Sequence, residues 1–481
     1  MIQKNKSNKL LLINMISSGL FQLLMLVVPL ITTPYVARIF TPYHLGIYAA
    51  SYSVASLFVT FSMIGLPIYG ARRIAQINNI VERTRVSFNL WVIQILCSFI
   101  CFFFFNGLVV ILHLDKIYYV QSFLILATMF DISWFYIGLE EIRKNLLRNL
   151  VTKILATLSI FILIKSPTQL EFYAVINIIA VFCGNLTMFS TLRPYIEFKR
   201  EHFKIYFRKK VVTDSFRLMI PMILDNLKNT SSRVILSNLS GNYQVGIFDQ
   251  GSKIIVIILG ILTSTSNAVS PRMSYLVGEK QITKMRSYFE KFIVLISVFS
   301  TITISGIIAV AEYFIPIFLG GGYDEVIPIL VIGSFLIMFG TYNVFLMNGM
   351  IIPFSLDREL VKTSLASLIV IVLLNFLLVP ILGSIGSALG LVISNITLTI
   401  LYCWILKGYL ELIKIVKYIF SSLLIILSVS IMIILSKKYI SFSSLYTSFI
   451  FYGLYSFILS FLLSFIMLKL FKVKMYKRNN E

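Results

Sequence analysis

Charge is scarce in this chain of 481 residues: Asp, Glu, Lys and Arg together make up 13% of it, against 58% hydrophobic residues. A soluble domain of this length could not cover its surface with so few charges, so a soluble fold is excluded. Histidine occurs three times, at the scattered positions His44, His113 and His202, and no metal-ligand spacing is visible. The four cysteines, Cys97, Cys101, Cys183 and Cys403, all lie inside apolar runs, which argues against a disulfide framework. No phosphate-cradling loop is present either: the glycine run at 320–322 lacks the lysine and following helix of a P-loop. Acidic residues number 20 against 42 basic ones, a net charge of +22. Such a balance can signal a nucleic-acid partner, but here the bases are confined to alternate loops, so no nucleic acid is expected.

What fills the sequence instead is a succession of apolar runs, each near the ~20 residues that span a hydrocarbon core. Their hydropathy predicts about fourteen crossings. The first six lie near 10–36, 43–65, 87–112, 117–139, 146–165 and 171–192; six more near 214–238, 246–268, 289–313, 325–349, 361–380 and 384–406; two follow near 413–436 and 444–470. The opening "MIQKNKSNK" and its apolar run imitate a signal peptide, but the run is too long and no small-residue cleavage site follows, so an uncleaved first helix is expected. The expected fold is an all-α polytopic membrane protein. Residues 1–192 form an N-lobe, 193–213 a cytoplasmic linker, 214–407 a C-lobe, and 408–481 two further helices with a basic tail.

Clusters at Arg72, Arg73, Arg83 and Arg85, at Arg143, Lys144 and Arg148, and from Arg272 to Arg286 alternate with nearly uncharged loops. With both termini cytoplasmic, roughly 35 of the bases fall on the inner side, as the positive-inside rule requires. The basic, aromatic segment "RPYIEFKREHFKIYFRKK" at 193–210 reads as an interfacial amphipathic helix between the lobes. The lobes themselves look related. Residues 45–76 align without a gap to 245–276, pairing Gly46 with Gly246, Tyr48 with Phe248 and Arg72 with Arg272. Six crossings per lobe imply a parallel, pseudo-twofold repeat, an arrangement found in transporters that bind substrate where the lobes meet.

Ionisable groups at bilayer depth cost about 2.5–3.5 kcal/mol each on insertion scales, so each needs a reason. Asp131 falls within the fourth run, Asp225 and Lys228 midway along the seventh, with Asn229 and Arg233 extending that face, and Asp249 and Lys253 one turn apart in the eighth. Asp131, Asp225 and Asp249 are candidates for ion coupling or charge pairing. Spacing permits an Asp225–Lys228 pair, and Lys253 could instead snorkel to the surface. In the first run Asn14, Ser18 and Gln22 form a polar stripe that Thr33 continues towards Arg38. Such a stripe belongs beside a wet cavity. Arg38, Lys228, Arg233 and Lys253 would make that cavity cationic and suited to an anionic head group, which arginine grips through paired hydrogen bonds.

These residues sit in stretches that resemble a known family. "PLITTPYVARIFTPYHLGIYAASYS" with "IGLPIYGARRIAQ" is similar to the N-terminal signature of bacterial polysaccharide flippases, within the multidrug/oligosaccharidyl-lipid/polysaccharide exporter superfamily. "FDISWFYIGLEEIRKNLLRN", "QVGIFDQGSKI" with "SPRMSYL", and "LLNFLLVPILGSIGSALG" resemble further family stretches, so that the likeness covers nearly the whole chain. The resemblance implies a multi-pass protein of the bacterial cytoplasmic membrane, with two six-helix lobes plus two helices. It would move an undecaprenyl-diphosphate-linked oligosaccharide repeat unit from the inner to the outer leaflet by alternating access, for capsule or O-antigen assembly. Arg38 matches the arginine of the family's "PY-x-x-R" motif and Lys253 the lysine of its eighth-helix motif. The seventh run departs from the pattern: "DNLKNTSSRVILSNLS" lacks the usual acid–base pair just before the outer loop. Candidate partners are membrane lipids, a polysaccharide polymerase and glycosyltransferases.

Two rival functions fit less well. A cation-coupled multidrug exporter of the same fold would need an acidic interior, whereas the charges here lean basic. A membrane enzyme on the same glycolipid would be expected to carry a substantial outer loop with catalytic groups, and the most polar outer loop, 319–326, offers only Asp324 and Glu325. No catalytic residue, metal or bound cofactor is expected; the interior aspartates leave H+ or Na+ coupling and structural bracing as open alternatives.

Overall fold

A computed structural model of the chain describes residues 27–197, 199, 201, 209–440 and 442–470. The elements run α1 (Val27–Ile39), α2 (Pro42–Ser62), α3 (Leu66–Ala75), α4 (Ile80–Ile111), α5 (Lys116–Ala127), α6 (Ser133–Gly138), α7 (Ile142–Leu163) and α8 (Leu170–Ser190). Then follow α9 (Lys209–Gly278), α10 (Ile282–Phe318), α11 (Val326–Gly333), α12 (Phe335–Leu346), α13 (Asp357–Leu382), α14 (Ser384–Ile405), α15 (Leu412–Tyr439) and α16 (Leu445–Leu470). No strand occurs among the described residues. In hydrocarbon every backbone amide must find its partner within the protein, and helices achieve this locally.

Twelve helices among the described residues are long and apolar enough to cross a membrane. One of them, Val211–Ser264, has 54 residues, about twice the length of a single crossing, and leaves helical geometry at Gly241, where φ is 85°. It supplies two crossings, and α1 is the described part of another, which matches the fourteen expected. The polar stripe Asn14, Ser18 and Gln22 lies outside the described residues. So do 198, 200 and 202–208, on which the expected interfacial helix falls.

By contact the chain parts into two compact units that meet between Gly246 and Ile247. The expected linker at 193–213 falls within the first unit, which also takes in the seventh crossing. The reason is visible in its packing on α2. Asn226 Nδ2 donates to Ser56 O (3.1 Å) and Thr60 Oγ1 (2.7 Å), and Thr230 Oγ1 reaches Ser53 O (3.4 Å). Two glycines permit the closest approach. A Cβ on Gly46 would stand 1.7 Å from Asn242 O, and one on Gly246 would stand 1.8 Å from Pro42 O. Pro42 and Asn242 share the 200-residue offset of the two glycines, so the contact is reciprocal.

After α8 the chain is tied down at its basic segment. Arg193–Ile196 makes turns in which the Tyr195 hydroxyl donates to Glu141 Oε1 (2.9 Å) and accepts from Lys144 Nζ (2.6 Å). In the second unit α10 is held to α15 through ion pairs placed towards its two ends, Glu290–Lys414 at 3.0 Å and Glu312–Lys437 at 2.7 Å. The crossing formed by α11 and α12 bends at Ser334, where φ −58° and ψ −28° remain helical and Ser334 Oγ donates to Val331 O (2.6 Å).

Candidate transport site

The fourth crossing is broken. Between α5 and α6 a short 3-10 turn, Thr128–Phe130, ends at Asp131 in extended geometry. A break at bilayer depth leaves carbonyls without their helical partners, each an expensive vacancy in hydrocarbon. Side chains from three neighbouring helices fill them. Asn185 Nδ2 of α8 donates to Ala127 O (2.8 Å), and Trp91 Nε1 of α4 to Met129 O (2.8 Å). Gln94 Nε2, also of α4, reaches both Thr128 O and Asp131 O (2.9 Å to the latter), and Asn145 Nδ2 of α7 donates to Ser133 O (3.0 Å). Asp131 belongs to this brace: its Oδ1 accepts from Ser133 N (2.9 Å), opening α6, and lies 3.7 Å from Arg148 Nη1. That same nitrogen also donates to Asn185 Oδ1 at 3.1 Å.

Arg38 is exposed in the last turn of α1. One turn earlier, Tyr35 fixes that end of the helix. Its hydroxyl lies 2.8 Å from Ile164 O and 3.1 Å from Phe161 O, at the end of α7, and accepts from Lys165 Nζ (3.1 Å). The tyrosine of "PY-x-x-R" therefore orients the helix end from which the arginine projects. Along the first half of α9, Asp225 is exposed while Lys228 and Arg233 are half-buried. Among the described residues no ion pair joins Asp225 to Lys228. Three residues along a helix leave two side chains about 60° apart, and here they turn to surroundings of different depth. Arg233 Nη1 donates to Asn229 O (3.1 Å), so the expected polar face continues through those two residues.

In the second unit Lys253 Nζ lies 2.7 Å from Asp249 Oδ2, with the carboxylate almost wholly buried and the lysine side chain 38% exposed. The four-residue spacing thus produces a pair in which only the cation reaches the surface. Nearby, α9, α10, α11 and α16 border an open apolar cavity of about 530 Å³ lined by Ile254, Ile258, Val310, Leu330, Phe449 and Leu454. Among the described residues no three His, Cys, Asp or Glu side chains converge to hold a metal ion.

Residues 11–277 match the family described as polysaccharide biosynthesis protein, and residues 218–381 match the family described as MatE. The chain belongs to the polysaccharide biosynthesis protein family. A relative from Shigella dysenteriae, named "Putative O-antigen transporter", is 22% identical over 387 residues, covering 77% of this chain and 94% of that one. The Staphylococcus aureus capsular polysaccharide biosynthesis protein CapF is 25% identical over 215 residues, 44% of this chain and 54% of its own. Among solved structures, lipid II flippase MurJ in an inward closed conformation shares the fold with a TM-score of 0.72 at 12% identity, over 96% of this chain and 100% of that one. An inward-facing MATE multidrug transporter follows at 0.60 and 14%, over 80% and 93%. The protein is accordingly a multi-pass membrane protein of the superfamily to which the sequence pointed.

Two functional candidates in this family member escaped the sequence reading. Arg148 clusters in sequence with the basic residues Arg143 and Lys144, yet its guanidinium works inside the brace of the fourth crossing. Lys153 was passed over although it lies within the expected fifth crossing; it is exposed at the middle of α7. The signal is the one basic residue of the run 150–163, masked by the cluster Arg143, Lys144 and Arg148 just before it.

Proposed function

We propose that the protein moves an undecaprenyl-diphosphate-linked oligosaccharide repeat unit from the inner to the outer leaflet of the bacterial cytoplasmic membrane by alternating access, with both termini cytoplasmic. The observation that carries this reading is the polysaccharide-biosynthesis match over more than half of the chain, together with a relative named for O-antigen transport that aligns over most of its length. The excess of cations over acids at bilayer depth supports it. Arg38, Lys228, Arg233 and Lys253 would attract a diphosphate or an acidic sugar, while the prenyl tail stays among acyl chains or lies in the apolar cavity beside α16. The Asp249–Lys253 pair is the best-built candidate for coupling to H+ or Na+, since a proton or cation arriving at the buried carboxylate would release the lysine. Asp131 is assigned to bracing. A polymerase and glycosyltransferases would act on the same glycolipid on either side of the transfer.

The test uses liposomes holding the purified protein and the host's fluorescent undecaprenyl-diphosphate glycan, with an impermeant quencher reporting transfer between leaflets. Protein-dependent transfer is expected, slowed about tenfold by Arg38→Ala, equivalent to about 1.4 kcal/mol, and partly restored by Arg38→Lys. Undiminished transfer by well-folded Arg38→Ala would remove that residue from the site. The MatE match over 218–381 favours a second reading, a cation-coupled drug exporter. Absence of glycolipid transfer under ion gradients of either direction, with gradient-driven efflux of a cationic dye, would replace the first reading by the second.

A further inference from the structure

Beside the broken fourth crossing the first unit holds a cavity of about 220 Å³. Its walls come from Phe88 and Trp91 of α4, Trp134 and Phe135 of α6, Phe189 of α8 and Leu192 just beyond it. The polar side-chain atoms of its lining residues are all engaged. Trp91 Nε1 donates to Met129 O (2.8 Å) and Trp134 Nε1 to Gln94 Oε1 (3.0 Å), leaving ring carbon to line the space. Ser87 Oγ donates to Arg83 O (2.7 Å), while Thr84 Oγ1 donates to Ile80 O (2.8 Å) and accepts from Glu197 N (2.9 Å). A buried water needs two or more polar partners, and these walls offer it none. Left empty, the space would forfeit dispersion contacts on every side. Hydrocarbon suits it, and its volume exceeds the ~150 Å³ that accepts a benzene ring.

The rim indicates where that hydrocarbon would come from. Phe88, Trp91 and Phe189 are half-buried and meet in turn, with ring centroids 6.4 and 5.3 Å apart. One turn before Phe189, Leu186 is exposed on the same membrane-crossing helix. Bases flank this end of the crossings: Arg85 follows Thr84, Arg193 follows Leu192, and both are exposed. The bond from Glu197 N to Thr84 Oγ1 draws the two segments together. Among the described residues neither arginine forms an ion pair.

We propose that this cavity takes one acyl chain of an anionic phospholipid, whose phosphate meets Arg85 and Arg193 at the rim. Arginine suits a phosphate because its planar fork donates two parallel hydrogen bonds. The chain lies against the two indoles that hold Met129 O and Gln94, and through Gln94 the carbonyls of Thr128 and Asp131. A lipid bound there buttresses the break in the fourth crossing. The protein thereby depends on the lipid composition of its membrane, whatever solute it carries.

The test exploits the scarcity of tryptophan. Trp404→Phe removes an exposed indole and leaves only Trp91 and Trp134. This variant is placed in phosphatidylglycerol vesicles with brominated or plain chains, since bromine quenches an indole that it touches. Ser87→Phe on the same background fills the cavity, and Ile196→Phe fills it from the linker side if the first variant misfolds. Expected is strong quenching with the cavity open, most of it lost when the cavity is filled. Phosphatidylglycerol should also stay bound to the detergent-purified wild type, and Arg85→Gln with Arg193→Gln should weaken that binding about tenfold, about 1.4 kcal/mol. Equal quenching in open and filled proteins would overturn the chain site, because the bromines would then act from the bilayer surface alone. Equally firm binding of phosphatidylcholine, or undiminished binding by the double glutamine variant, would overturn the head-group contact. Emission at the wavelength of water-exposed indole, unquenched by bromine, would put water in place of the chain and overturn the proposal.

Discussion

Where the fourth crossing bends, between Ala127 and Ser133, five backbone carbonyls turn to donors on α4, α7 and α8. Where the tenth bends, at Ser334, the chain answers from its own turn: the Ser334 amide still donates to Leu330 O (2.9 Å) and its hydroxyl to Val331 O (2.6 Å). Both bends lie at bilayer depth, where no water can substitute for a missing partner. The difference is one of amplitude. A bend that keeps helical torsions needs one serine, whereas a bend that passes through extended geometry must recruit polar side chains from elsewhere. Those side chains include an ion pair, so charge in the interior of this protein serves backbone repair.

The contrast can be broken most forcefully at Arg148. Replacing it by methionine strands the Asp131 carboxylate and removes a donor to Asn185, and should cost about 3 kcal/mol, read as a fall in the thermal midpoint of the detergent-purified protein. Asp131→Asn, which keeps an acceptor for Ser133 N, should cost clearly less; equal losses would mean that the pair does not hold the bend. Gln94→Leu comes next. It leaves Asp131 O and Trp134 Nε1 without their partner, takes one of two donors from Thr128 O and should cost about 2 kcal/mol in the same measurement. Ser334→Ala should be nearly silent, under about 0.5 kcal/mol. A loss there as large as that of Gln94→Leu would erase the distinction between the two bends.

The crossings themselves were legible because lipid imposes a length and an apolar character on every one of them. The Asp249–Lys253 pair was legible too, since four residues bring two side chains onto one face of a helix. The broken fourth crossing was not: residues 117–139 read as one apolar run marked only by Asp131, and the donors that serve it lie in three other runs, where each looks like an isolated polar residue. Spacing permits Asp225 to meet Lys228, but along α9 the first is exposed and the second half-buried, and they form no ion pair.

The glycine crossing of α2 and α9 carries a consequence for how this chain can change over time. Gly46 and Gly246 each lack a side chain because the other segment's backbone fills that space. Two positions 200 residues apart therefore behave as a single site under selection. In a half-length ancestor that met a copy of itself, one glycine codon would have satisfied both sides of the contact. Fusion of two such copies would double the target for mutation without relaxing the demand, because neither glycine can drift while the other stays. The two halves are free to diverge almost everywhere else, as the charges added to the eighth crossing attest, but at this point they remain copies of one another.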